Sequence, residues 1–280
     1  MKHPHEPFSS AGTLTPVKLC RFELVDAPGE QRSGIFHEGN IYETDGQMAA
    51  GIHDLSRVQF LSPVGRPLAI RVFESFSPIP GEWDLTYFFM NPTLIRGTNE
   101  SISIPPSIEK LDFEIRLAAI LQDGALMVDA SEADKMILGY TFLLVFIDKT
   151  VGYEDTQGVV SSTWTPSHDV GAFIAPFVVT PEELNERMIR ESRTNFQWSY
   201  KIYVNDELLP GPSEYAFDPS MSDLMVIGSQ RSALTSGEII TWPPLPLDDI
   251  STTPLGRYLI PGDEVRVVID GLGAINGKIG

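Results

Sequence analysis

Cysteine is nearly absent from this chain: Cys20 is the single one in 280 residues. That excludes an internal disulfide framework and a thiolate-built metal site. Histidine is scarce, five in all, and with His3 and His5 close to the start, only His37, His53 and His168 are left for chemistry. No run of about 18 uncharged apolar residues occurs, so no membrane span is expected. Basic residues are few, 20 Lys and Arg against 38 Asp and Glu, for a net charge of −18. Nucleic acids and anionic membranes need a basic face and are not expected as partners. The opening MKHPHEPFSSAGTLTP has no apolar core segment, so residues 1–16 read as a flexible tail and not as a signal peptide, and a cytoplasmic location is expected. Internal repeats, low-complexity segments and heptads are also missing.

What the chain does have is glycine (23) and proline (22) scattered throughout, and 42% hydrophobic residues. This is the composition of a mainly β protein with many turns. Val17 to Val25 alternates as a strand, and Arg32 to Glu43 reads as two strands joined at Glu38-Gly39-Asn40. Ile52 to Phe60 and Leu68 to Phe73 complete a small N-terminal β-rich unit over residues 17–73. From Glu74 to Pro92 an aromatic loop leads into a strand at Tyr87 to Met90. Ser101 to Pro106 reads as a short edge piece. Ser131 as N-cap, Asp134 at N3 and Gly139 as stop predict a short helix over Ser131 to Leu138, and Tyr140 to Ile147 reads as a strand buried on both faces. Thr180-Pro181-Glu182-Glu183 has the form of a capping box, so a helix or helical turn is expected to start at Pro181; Asp218-Pro219 is a second such start, with a helix expected over Pro219 to Arg231. Strands are expected at Trp198 to Val204, Gly237 to Trp242 and Val265 to Asp270.

The pivotal stretch is LDFEIRLAAIL, Leu111 to Leu121. Residues two apart in a strand share a face, so Glu114 and Arg116 project together, with Phe113, Ile115 and Leu117 opposite. A charged pair in an apolar strand is costly unless it is paired or used, and both a salt bridge and a functional site stay open.

Several segments in order resemble the fumarylacetoacetate hydrolase superfamily: GIFHEGNIYETDG, FFMNPTLIRG, LDFEIRLAAIL, GYT at 139–141, APFVVTPEEL, YKIYVNDEL and LIPGDEVRVVIDGLGAI. The resemblance covers roughly residues 18 to 280. It implies an α+β, mainly β fold, with a mixed β-roll or β-sandwich C-terminal domain over 74–280, an active site in that domain, and a homodimer.

The family holds Mg²⁺ or Mn²⁺ with a first Glu, a second Glu two positions on, and an Asp in the strand that begins G-[YF]-T. The first matches Glu114; the second falls on Arg116 and the third on Val145. One carboxylate, a guanidinium and a hydrocarbon do not make a hard-cation site, so neither a metal nor another cofactor is expected. Asp148, three residues past Val145, is expected on the opposite strand face, and Asp112 is expected to face away from Glu114. The family's F-E-x-H pair reads Phe73-Glu74-Ser75-Phe76, its lysine aligns with His168, and its threonine- and glycine-rich loop is replaced by Thr241-Trp242-Pro243-Pro244-Leu245-Pro246.

The resemblance thus points to Arg116, Glu114, Glu74 and His168 as catalytic candidates. Arg116 would stabilise an oxyanion, Glu114 would orient it, and Glu74 or His168 would move a proton. Phe76, Trp83, Phe89, Asn91, Val145, Trp164 and Trp242 are expected to line an apolar substrate cavity. Three functions follow. The first is a metal-independent enzyme of specialised, polyketide-like metabolism that carries out a cyclisation, isomerisation or elimination on an apolar enolisable or polyene small molecule. The second is a non-catalytic binding protein descended from a hydrolase, and the third an orthodox metal hydrolase of an oxo acid.

Overall fold

The structure, a computed structural model, describes residues 17–45, 49–75, 85–150, 167–189 and 194–280. Phe76, Trp83 and Trp164 lie outside these.

The strands of the described residues form two sheets, as the mainly β expectation required. The larger has 13 strands, and its centre is an antiparallel pair, Leu111–Leu121 with Ile137–Asp148, in register from Leu111 opposite Asp148 to Ile120 opposite Gly139. Short Ile239–Thr241 joins Leu111–Leu121 on its other side and pairs in parallel with Ile70–Ser75, which pairs with Leu85–Met90. In the other direction Phe177–Val179 links the long pair to Lys18–Leu24 and so to the hairpins Ala27–His37, Asn40–Thr44 and Ala49–Asp54. The hairpin foreseen at Glu38-Gly39-Asn40 is present. His37 pairs with Asn40, and both loop residues, Glu38 and Gly39, have positive φ, the two-residue turn whose twist matches the strands. The second sheet, of six strands, is built on Gln197–Val204, Glu264–Ile269 and Gly273–Ile279.

Strand parity divides the core. Phe113, Ile115, Leu117 and Ala119 belong to one cluster with Trp198, Ile202, Val265, Val267 and Ile275 of the second sheet. The opposite face carries a smaller cluster of Ile70, Val72, Ala118, Ile120, Leu143 and Val145. Burying both faces explains why the two long strands read as unbroken apolar runs.

Local readings differ from the structure at five points. The first helix is shorter, Ala130–Ala133, with Asp129 as cap accepting from the Ser131 N–H. Gly139 sits inside the strand Ile137–Asp148 instead of ending a helix. A Cβ there would lie 2.6 Å from the Val179 carbonyl oxygen, so the residue is glycine to let the two backbones approach. Thr180 does not cap: its hydroxyl accepts from the Val17 N–H at 3.1 Å, and Pro181–Arg187 is a 3-10 helix without a side-chain cap. The C-terminal helix is Met221–Ser229, where Ser220 and Asp223 form a reciprocal capping box. Glu74 is not in a loop, because the strand Ile70–Ser75 continues through it.

Candidate active site

On the face of the larger sheet away from the second sheet, two strands on either side of Ile239–Thr241 bring charge together. Glu114 and Arg116 project from Leu111–Leu121 on the side occupied by Ala118 and Ile120. Val72 fixes the same side of Ile70–Ser75, and Glu74, two residues on, follows it. The Arg116 side chain is fully buried. Its Nε donates to Glu114 Oε2 at 2.8 Å. One terminal nitrogen, Nη2, donates to Glu114 Oε2 at 2.5 Å and to Glu74 Oε1. The other, Nη1, donates to the Phe73 carbonyl at 2.9 Å and reaches the Trp242 carbonyl at 3.5 Å. All five N–H donors of the guanidinium therefore have acceptors. His168 completes the group, with Nε2 3.3 Å from Glu114 Oε2 and Nδ1 3.0 Å from the Ser167 hydroxyl. An ionised carboxylate only accepts, so the contact with Glu114 calls for a proton on Nε2.

The two carboxylates are held apart in acidity. Burial works to raise Glu114, but the Arg116 charge and the bond from His168 outweigh it and hold the group at about 2. Burial dominates at Glu74, where the repulsion of Glu114 adds to it and the attraction of Arg116 does not compensate, so its pKa lies above the ordinary carboxylate value. Arg116 is stabilised as the cation, its two glutamates overcoming the cost of burial. One carboxyl stays ionised while the other is poised to carry a proton, a division typical of acid–base sites.

Glu74, Glu114 and His168 each offer a ligand atom, all within 4.8 Å of one another. By donor type alone this trio would suit a divalent ion. The space among them is taken by the guanidinium, a permanent cation bonded to both carboxylates. Val145, where the resemblance puts the family's third ligand, is fully buried and directly opposite Glu114. The residues present do not fit the family's ion.

The neighbouring acids are occupied elsewhere. Asp112 is not turned away as expected: it lies two residues from Glu114, opposite Ile147 of the same apolar cluster, and so on the same face. What withdraws it is its own partners, Lys149 Nζ at 2.6 Å and the Ile250 N–H at 3.3 Å. Asp148 accepts from the Thr150 N–H.

Of the expected cavity residues, Val145 shares the face of Arg116. Phe89 does not. Phe88 pairs with Val72 on the site side, and its ring stands 5.0 Å from the His168 ring, whereas Phe89 lies on the other side under the Arg71 guanidinium. Asn91 is exposed and caps the turn Pro92–Leu94. Trp242 contributes only its carbonyl. Its ring stacks between Tyr140 and Phe217, and its indole N–H donates to the Pro219 carbonyl.

Two residues that sequence reasoning did not single out stand beside Arg116. Thr141 and Thr241 both lie directly opposite Ala118, one on each flanking strand, and so on the face of Arg116. Both hydroxyls are buried and, among the described residues, without a hydrogen-bond partner. An orphaned hydroxyl in a native core calls for an explanation, and a pair flanking the smallest residue of the row is a polar floor two residues from a buried cation.

Comparison with known proteins agrees with this architecture. An uncharacterized protein of Pyrococcus abyssi is 26% identical over 192 residues, which span 69% of this chain and 78% of that protein. The fold is shared with 5-carboxymethyl-2-hydroxymuconate delta-isomerase from Mycobacterium smegmatis, at a TM-score of 0.70 and 17% identity, over 94% of this chain and 98% of that one. It is shared also with maleylpyruvate hydrolase from Sphingobium sp. SYK-6, solved with manganese(II) and pyruvate, at a TM-score of 0.68 and 16% identity, over 94% and 98%. Residues 69–280 match the family described as fumarylacetoacetate (FAA) hydrolase C-terminal, and the chain belongs to that family.

Proposed function

We propose that the protein is a metal-independent enzyme that moves a proton on an enolisable, largely apolar substrate of polyketide type, in an isomerisation, cyclisation or elimination. The observation that carries this is the pair of carboxylates with opposed acidities around a buried guanidinium, Glu114 and Arg116 being where the resemblance puts two of the family's metal ligands and Glu74 where it puts the glutamate of the F-E-x-H pair. That structural relatives in this fold include an isomerase and a hydrolase of oxo acids is consistent with enolate chemistry.

In this mechanism ionised Glu74 removes a proton from the carbon next to a substrate carbonyl, leaving an enolate. Protonation removes the charge of Glu74 and weakens its hold on Arg116 Nη2, so that donor turns to the enolate oxygen at the moment the charge forms. Glu114 stays ionised and keeps the guanidinium in place. The neutral Glu74 then returns its proton to a second carbon, giving an isomer, or to a departing group, giving an elimination. No oxidant is consumed. Thr141 and Thr241 would hold a second substrate oxygen, and Phe88 would contribute apolar contact. A cytoplasmic homodimer is part of the same proposal.

The test is proton exchange. Apolar 1,3-dicarbonyl compounds incubated with the enzyme in D₂O and a chelator should exchange the proton between the carbonyls, followed by NMR. Glu74→Gln should slow this by about 10²–10⁴-fold, the usual worth of a positioned base. Exchange that requires added Mg²⁺ or Mn²⁺, or that survives in the variant, overturns the proposal. A specific observation favours a second reading, a non-catalytic binding protein: Arg116 already has an acceptor for every donor. That reading predicts no exchange with any member of the panel.

A further inference from the structure

We propose that a depression walled by Arg21, Arg66 and Arg96 is a binding site for a compact dianion, separate in all its residues from the site around Arg116. Its volume is about 300 Å³, enough for a phosphate carrying a small organic group or for a short dicarboxylate.

Arginine is paired with acid almost everywhere else in this chain. Arg32, Arg57, Arg71, Arg116, Arg187 and Arg257 each lie within 4 Å of a carboxylate, as a chain of net charge −18 readily allows. Among the described residues only Arg231 and Arg266 share with these three the lack of an ion pair, and only here do three such arginines stand round one depression. Neutral acceptors orient them instead. Arg21 Nη1 donates to the Ser62 carbonyl at 3.1 Å and Nη2 to the Gln31 side-chain oxygen. Arg96 Nη1 donates to the carbonyls of Thr93 and Ile95, at 3.0 and 3.1 Å. Arg66, exposed at the rim, has no bond at all among the described residues.

Such acceptors position a guanidinium without cancelling its charge. The Nε of Arg21, the Nε and Nη2 of Arg96 and the whole fork of Arg66 remain to bind something else. The single carboxylate in the wall, Glu100, accepts from the Gly97 N–H at 2.8 Å, and three guanidiniums against one carboxylate leave a local charge of +2. Gathering like charges is unfavourable unless a counter-charge joins them. Planar forks that donate in pairs select oxyanions of the phosphate or carboxylate kind. The backbone is shaped to the same end: Gly65 has φ +64, and a Cβ on it would lie 2.8 Å from Arg21 Nη1, so the turn is bare where the guanidinium crosses it.

The full-length protein should be titrated with inorganic phosphate and, separately, with succinate, the ionic strength being held constant with sodium chloride. Calorimetry and the thermal midpoint are the readouts. For at least one anion the midpoint should rise with its concentration, and the better of the two tells a tetrahedral from a dicarboxylate ligand. Arg66→Ala with Arg96→Ala should weaken binding at least tenfold without lowering the midpoint of the ligand-free protein, because neither side chain is bonded beyond its own turn and their mutual repulsion is relieved. Glu100→Gln, which keeps the acceptor for Gly97 and removes the charge, should tighten it. A midpoint that does not respond to either anion, or responds equally in the double variant, or rises as much with chloride alone, overturns the proposal.

Discussion

Arg116 is the residue on which stability and chemistry meet. Fully buried and bonded to two glutamates, it cannot be deleted quietly: Arg116→Leu leaves two carboxylates facing an apolar side chain and should cost about 3–5 kcal/mol in denaturant unfolding. By contrast Thr241→Val removes a hydroxyl that bonds to nothing among the described residues, so stability should hold or rise while KM increases, a split that a purely structural threonine would not show. Restoring the family's acids is the complementary experiment. Arg116→Glu with Val145→Asp should acquire a midpoint that rises with Mn²⁺, and the natural protein should show no such rise. The pH dependence has opposite signs at the two glutamates. Glu114, held at about 2 against an ordinary 4.5, binds fewer protons in the native than in the unfolded state. Its contribution is complete above pH 4.5 and disappears as the pH falls toward 2. Glu74 is displaced upward, so its stabilising share is present at low pH and is lost as the pH rises through its raised value. Acid titration of Glu114→Gln should therefore be flatter below pH 4.5 than that of the natural protein.

At the scale of elements, what could be read in advance was whatever depended on neighbours in sequence. The alternation inside Leu111–Leu121 was enough to put Glu114 beside Arg116, and Glu38-Gly39 was enough for a hairpin. Two local readings failed, the face of Asp112 and the cap at Asp129; the other failures depended on distant partners. Nothing near Thr180 in the chain announces that Val17 will take its hydroxyl, and nothing in YFFM says whether Phe88 or Phe89 turns toward His168. That is fixed by pairing with Ile70–Ser75. Glu74 was reached through family resemblance, since its partner Arg116 is 42 residues away. Two substitutions test the local devices directly. Ser220→Ala should cost about 1 kcal/mol, because it removes one side of a reciprocal cap at Met221–Ser229. Gly139→Ala forces a methyl against the Val179 carbonyl and should cost about 1–3 kcal/mol, the range for overpacking a close contact.

For the whole molecule, the decisive fact is that the N-terminal hairpins and the strands of the candidate active site belong to one hydrogen-bonded sheet. Phe22→Ala, a fully buried site in the main core cluster, should cost about 3–5 kcal/mol and lower tryptophan and far-UV signals together in a single transition. The junction that closes this sheet is Lys18 opposite Val179, with Val17 bonded to Thr180 across 163 residues of chain. On the ribosome that separation is a delay. At roughly 5–20 residues per second, the first strand waits roughly 8–30 s for its partner to be made. Val58–Leu61 covers the Arg21–Leu24 half of that edge early, but throughout the interval the Lys18–Cys20 half stays unpaired and open to any other chain that comes near. Holding the start of that strand apart until about two thirds of the protein has emerged is therefore a task that this topology sets for the cell and its chaperones.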